Sequence, residues 1–191
     1  MNLIKKARVG DEELRIYQDE NADSPRDWDN LGKMVMWHRN YKFPNEGDFK
    51  DPQAFYSWLK ENKAVVLSVY MYEHSGIALS TDNSEYPFTD RWDSGQVGFI
   101  YCDYETIKKE YSIKRISKAT IKRVKEVLNG EIKTYSQYLN NEVYGFILSR
   151  IEECNLGHEH LTDIDSCWGF YNIDTIIEEY PQFKDAEWES G

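Results

Sequence analysis

A chain of 191 residues lies within the range of one domain, and at that length about two thirds of the unfolded surface can be buried, enough for a real core. Its 34 acidic against 23 basic side chains leave a net charge of -11, which repels nucleic acid as a whole and argues against a simple nucleic-acid binder. No stretch approaches the roughly 18 apolar residues of a membrane helix, the N-terminus turns charged before a signal-like apolar run forms, and Cys102, Cys154 and Cys167 are an odd count, so a single cytoplasmic domain over residues 1–191 with reduced thiols is expected.

In chain order, RIYQDE from Arg15 reads as a short strand, and GKMVMWHRNY, after the turn-rich NADSPRDWDN, as a second. DPQAFYSWLKENK carries a helix signature: Asp51 as N-cap, Pro52 at the first helical position, an apolar stripe of Phe55, Trp58 and Leu59, and an end near Asn62. AVVLSVYMYEHSGIALST predicts a buried strand that turns at EHSG into a shorter one, and GQVGFIYCD predicts the next strand. Asp103 then caps a short helix. Ser117 caps a longer one, whose apolar face runs through Ile121, Val124, Leu128, Ile132, Tyr135 and Leu139 at spacings of three and four, with Gly130 as a point where it kinks or splits. EVYGFILSRI and DSCWGFYNI are expected strands on either side of a polar loop, EECNLGHEHLTDID, and DTIIEEY is a last helix stopped by Pro181. The expected fold class is α+β, a mainly antiparallel sheet with helices packed on one face.

A Gly-Phe pair recurs inside three predicted strands, at Gly98-Phe99, Gly145-Phe146 and Gly169-Phe170. Successive strand residues face opposite sides, so inward phenylalanines leave the glycine side bare for close backbone approach, while a bulge or a relief of twist explains the same glycines without a ligand.

Tryptophan beside carboxylate is an ingredient of protein interfaces, the indole supplying area and the charge orientation. Three clusters have it: Asp27, Trp28 and Asp29; Arg91, Trp92 and Asp93, with Gln96 close by; and Asp163, Asp165 and Trp168. Half-buried indoles among turn-capping aspartates would have the same sequence. Cys154, His158, His160 and Cys167 have zinc-binding side chains but match no zinc spacing, and Cys167 falls in a strand expected to be buried, so no metal and no cofactor is expected. From Lys108 to Lys133 nine basic residues face three acidic ones, and Lys118, Lys122 and Lys125 share a helical stripe that would track phosphates or simply face solvent. The signatures of hydrolases, nucleotide-driven enzymes, metalloproteases and dehydrogenases are absent, and no catalytic residue is assigned.

Through PRDWDNLGKMVMWHR, WDSGQVGFIY, YSQYLNNEVYGF and DSCWGFY the chain resembles a family of small acidic proteins carried by phages and mobile elements of gut Firmicutes. The resemblance implies a phage-encoded, non-enzymatic inhibitor in the cytoplasm of a bacterial host, with a defence protein such as a CRISPR effector nuclease or a restriction enzyme as partner. An acidic surface suits such partners, because it is drawn to the positive grooves that bind DNA. The residues leave another class open: a nucleotide- or nucleic-acid-binding protein, or a metal-dependent nuclease-like enzyme, using the basic stripe and Asp93, Asp165 or Cys167. The oligomeric state is not fixed by the sequence.

Overall fold

The computed structural model describes residues 1–73, 76–82 and 94–191, with the backbone alone described at Ser94. The fold is α+β, with antiparallel strands in two sheets and helices packed against them. The chain divides into two compact units, one made of Met1–Asp23 with Asn141–Gly191 and the other of Ser24–Asn140.

The first unit holds a five-stranded sheet. Its strands are β1 (Leu3–Val9), β2 (Glu12–Gln18), β7 (Tyr144–Glu153), β8 (Glu159–Phe170) and the short β9 (Glu189–Ser190), in the order β8-β7-β2-β1-β9. Leu14 and Ile16 of β2 and Phe146 and Leu148 of β7 alternate onto one face, where Ile176 of α4 (Ile173–Glu179) and Phe183 complete the core. Helices therefore cover this sheet on one face. The opposite face is polar and carries Arg8, Glu13, Arg15, Ser149 and Asp163. Three elements differ from the sequence expectation, the two-residue β9 among them, which no strand signal marks. β1, hidden in sequence by the charges of LIKKARV, precedes the strand expected first, and the expected polar loop after Ile151 is mostly strand, because β8 already starts at Glu159. Both faces of β8 are solvent-exposed up to Gly169, so no apolar alternation marks it.

The second unit holds β3 (Lys33–Met36), β4 (Ala64–Glu73), β5 (Ile77–Thr81) and β6 (Ser94–Asp103), in the order β3-β6-β4-β5. On one face α3 (Lys118–Leu139) buries Val124, Leu128, Ile132 and Tyr135 against Met34, Leu67, Val69 and Ile100. The other face holds α1 (Pro52–Glu61), whose Phe55 stacks on Phe99 with ring centroids 4.9 Å apart. α1 begins and ends where expected, capped by Asp51 accepting from Ala54 at 2.8 Å and closed at Asn62. α2 (Tyr104–Glu110) follows Asp103, and α3 starts at Ser117 with a reciprocal capping box to Thr120. α3 runs through Gly130 without a break, since an exposed helical glycine weakens the helix without removing a hydrogen bond.

The three Gly-Phe pairs resolve into three different situations. A Cβ at Gly98 would overlap the Val35 carbonyl and Met36 of β3, so a backbone of the same sheet already makes the close approach, beside a bulge at Val97. Gly145 lies under the ring of Trp168 and is not bare. Gly169 is itself the extra residue of a bulge, with a φ of 88° that suits glycine. Phe99 and Phe146 face helices as expected, Phe146 meeting Tyr180 at 5.1 Å between centroids.

Candidate functional site

The cluster Asp27, Trp28, Asp29 sits where a 3₁₀ turn, Pro25–Asp27, opens into an extended loop. All three residues are exposed, the indole 52%. Beneath them the loop is fastened. Ser24 caps the turn by accepting the Arg26 amide at 3.2 Å, and the Asn30 side chain donates to the carbonyls of Pro25 at 2.8 Å and Trp28 at 2.9 Å. Arg26 points inward with only 5% of its side chain exposed. Its guanidinium donates to both Glu46 oxygens at 2.9 and 2.8 Å, to Glu131 at 3.0 Å and to the Gly32 carbonyl at 2.6 Å. Glu131, on α3, also accepts the amides of Leu31 at 2.9 Å and Gly32 at 3.1 Å, and Glu46 accepts that of Met34 at 2.6 Å. Burial works against the Arg26 charge, but the bonds to the two carboxylates outweigh it and raise its hold on the proton. The result is a half-exposed indole between two carboxylates, on a loop whose backbone is anchored by Asn30 and by Arg26 with its two glutamates.

The third cluster is divided by the sheet. Asp165 lies on the helix side, where it accepts the Tyr180 hydroxyl, which burial and this carboxylate hold firmly protonated. Trp168 lies on the polar side, over Gly145, with its ring 6.2 Å from that of Tyr17 and 39% of the residue exposed. The polar face around Trp168 carries a network that the sequence did not suggest. Arg8 binds Glu13 at 2.7 Å and Glu159 at 3.0 Å, and Arg15 donates to Ser149 at 2.5 Å and Asp163 at 2.8 Å. Glu13 is almost fully buried between the two arginines, 3.5 Å from the Arg15 Nε. Its alternation opposite Leu14 was the only signal, and a lone glutamate facing away from a core normally faces water.

Gln96 lines a cleft of about 180 Å³ with Trp37, Pro52, Tyr56 and Phe99, small beside the roughly 300 Å³ at which ligand pockets begin. Arg91, Trp92 and Asp93 lie outside the described residues. Lys118 and Lys122 face solvent on α3, Lys125 is half-buried, and Lys122 is 3.9 Å from Glu126, the habit of a solvated helix face. Cys154 and His158 close the hairpin between β7 and β8 through backbone contact, the Cys154 amide donating to the His158 carbonyl at 2.9 Å. Among the described residues no three His, Cys, Asp or Glu side chains gather as a metal would require. Cys167 is exposed, contrary to the buried position expected, because β8 is an edge strand. The Arg26 mount went unread because its partners, Glu46 and Glu131, come from distant parts of the sequence. Set against protein-family models, curated proteins and solved structures, the chain matches none of them.

Proposed function

We propose that this chain is a non-enzymatic binding protein that occupies the positively charged surface of a bacterial defence protein, a CRISPR effector nuclease or restriction enzyme being the class its resemblance implies. The binding role is carried by one observation, the exposed Asp27-Trp28-Asp29 loop clamped from below by Arg26. Anchors that are rigid before association lose little entropy on binding, so an exposed tryptophan on a fixed mount is a good hot spot. The flanking carboxylates and the net charge of -11 favour a basic partner and would speed encounter at moderate salt. The test captures the partner from a bacterial lysate with the tagged chain and then titrates that purified partner with the parent and Trp28→Ala. Loss of about 2 kcal/mol or more of affinity with an unchanged unfolding midpoint supports the proposal. Equal affinity of the two chains removes the loop from the interface.

A further inference from the structure

Among the described residues β8 ends the first sheet and pairs with β7 alone. From Glu159 to Gly169 all its residues are exposed, including Leu161 at 40% and Ile164 at 44%. Natural proteins blunt such an edge with lysine, proline or a cover, because its unpaired amides and carbonyls invite another strand. β8 has no lysine or proline; over Glu159–Asp163 its guard is two carboxylates, and a bulge at Ile164 interrupts the ladder beyond them. Residues 151–183 contain eight of the chain's 34 carboxylates and no lysine or arginine, so the segment that carries this edge is uniformly acidic.

The hydrogen-bond pattern shows which groups are available. The Cys154 amide donates to the His158 carbonyl, and bonded pairs alternate along an antiparallel ladder, so His160 and Thr162 turn their amides toward β7 while Glu159 and Leu161 turn theirs outward. The Ile151 amide, opposite Leu161, agrees, since it donates to Asp11 on the other side at 2.7 Å. Further along, Asp165 accepts the Ser166 amide at 2.8 Å and closes the edge.

We infer that the outer edge of β8 over Glu159–Ile164 receives an extended segment of a partner protein as an added strand, and that this segment alternates lysine or arginine with apolar residues. Leu161, on the face of Arg8 and Arg15, supplies the apolar contact, and Ile164, the extra residue of the bulge, ends the paired segment. Glu159 and Asp163 share Arg8 and Arg15 with the buried Glu13, so two guanidinium groups meet three carboxylates, and on the other face Glu152 of β7, opposite His160, and Asp165 add the negative charge that selects basic side chains. A second copy of the chain is the poorer occupant, because it would set acidic strand against acidic strand. The inference rests on the reading that the partner is positively charged, but it concerns residues of the other unit from the one that holds the Trp28 loop.

The experiment adds an acetylated decapeptide of alternating lysine and valine, or its glutamate-valine counterpart, to the full chain and follows binding by calorimetry and amide exchange by NMR. The lysine peptide is expected to bind and to slow exchange at Glu159 and Leu161, and the glutamate peptide is not. Leu161→Pro removes an outward donor and spares the inward bonds, and Leu161→Lys keeps the donor but adds a repelling charge. Each should weaken binding at least tenfold, whereas Trp28→Ala should leave it unchanged. The inference is overturned if the lysine peptide does not bind, if it protects other amides, if both Leu161 variants bind as the parent does, or if the free chain dimerises through β8. Because the peptide assay needs no natural target, its failure leaves the Trp28 capture result standing, and the converse holds.

Discussion

Asp103 ends β6 and caps α2 with one side chain, accepting the Thr106 amide and the Thr106 hydroxyl, each at 2.9 Å. Burial pushes its carboxyl up, but the two Thr106 bonds and the nearby Lys33 outweigh that and hold it below the usual carboxylate range. A carboxyl depressed in the folded state stabilises fully above its unfolded value of about 3.9, and the contribution disappears as pH falls through the lower folded value. Asp103→Ala should therefore cost about 1 kcal/mol at pH 7. Urea midpoints should show the gap to the parent narrowing below about pH 4, and a gap constant down to pH 2 would place the stabilisation elsewhere. The thiols separate by the same physics. Burial, with Asp103 beside it, pushes Cys102 up to about 12, an inert thiol in the core. Backbone amides around Leu156 and His158 hold the half-buried Cys154 below the usual thiol range, so it is the more reactive of the two.

Glycines test whether an element or its neighbour decides a position. At Gly98 the Cβ of an alanine would enter the Val35 carbonyl of β3, a backbone atom that cannot step aside, and Gly98→Ala should cost about 1–3 kcal/mol. At Gly130, in the middle of α3, none of the described residues places an atom within 4 Å of that Cβ. Gly130→Ala should accordingly stabilise by up to about 1 kcal/mol, and chemical denaturation of the two variants should move their midpoints in opposite directions. Elements with local signals were legible in the sequence: the caps at Asp51, Asp103 and Ser117, the apolar stripe of α3 and the alternation of β4. Those fixed by pairing were not, since β1 and β8 are strands because β2 and β7 accept them, despite polar sequences. The same divide runs through the candidate site. Asp27, Trp28 and Asp29 announced themselves as an acidic-aromatic cluster, but Arg26 between Glu46 and Glu131 is a product of three distant segments meeting. Asp165 and Trp168, neighbours on paper, fell on opposite faces because a strand alternates.

Over the whole chain, charge and connectivity are both unevenly distributed. The basic residues between Lys108 and Lys133 belong to the unit made of Ser24–Asn140, and the long acidic stretch after Arg150 belongs to the other. That second unit is made from both ends of the chain, and at its centre β2 pairs with β7, Glu12 against Arg150 and Gln18 against Tyr144. During synthesis the β1–β2 hairpin leaves the ribosome before the other elements of residues 1–191, yet its partner strand β7 follows only after all of Ser24–Asn140 has been made. Pairing across so long a separation is slow unless the intervening segment has already become compact. The order of maturation should then invert the order of birth: pulse-labelled exchange on refolding should protect β4 and β6 before β2 and β7, and simultaneous protection would refute this. Until that late closure the nascent hairpin exposes Leu14 and Ile16 and leaves the β7 edge of β2 open, the kind of surface through which newborn chains aggregate.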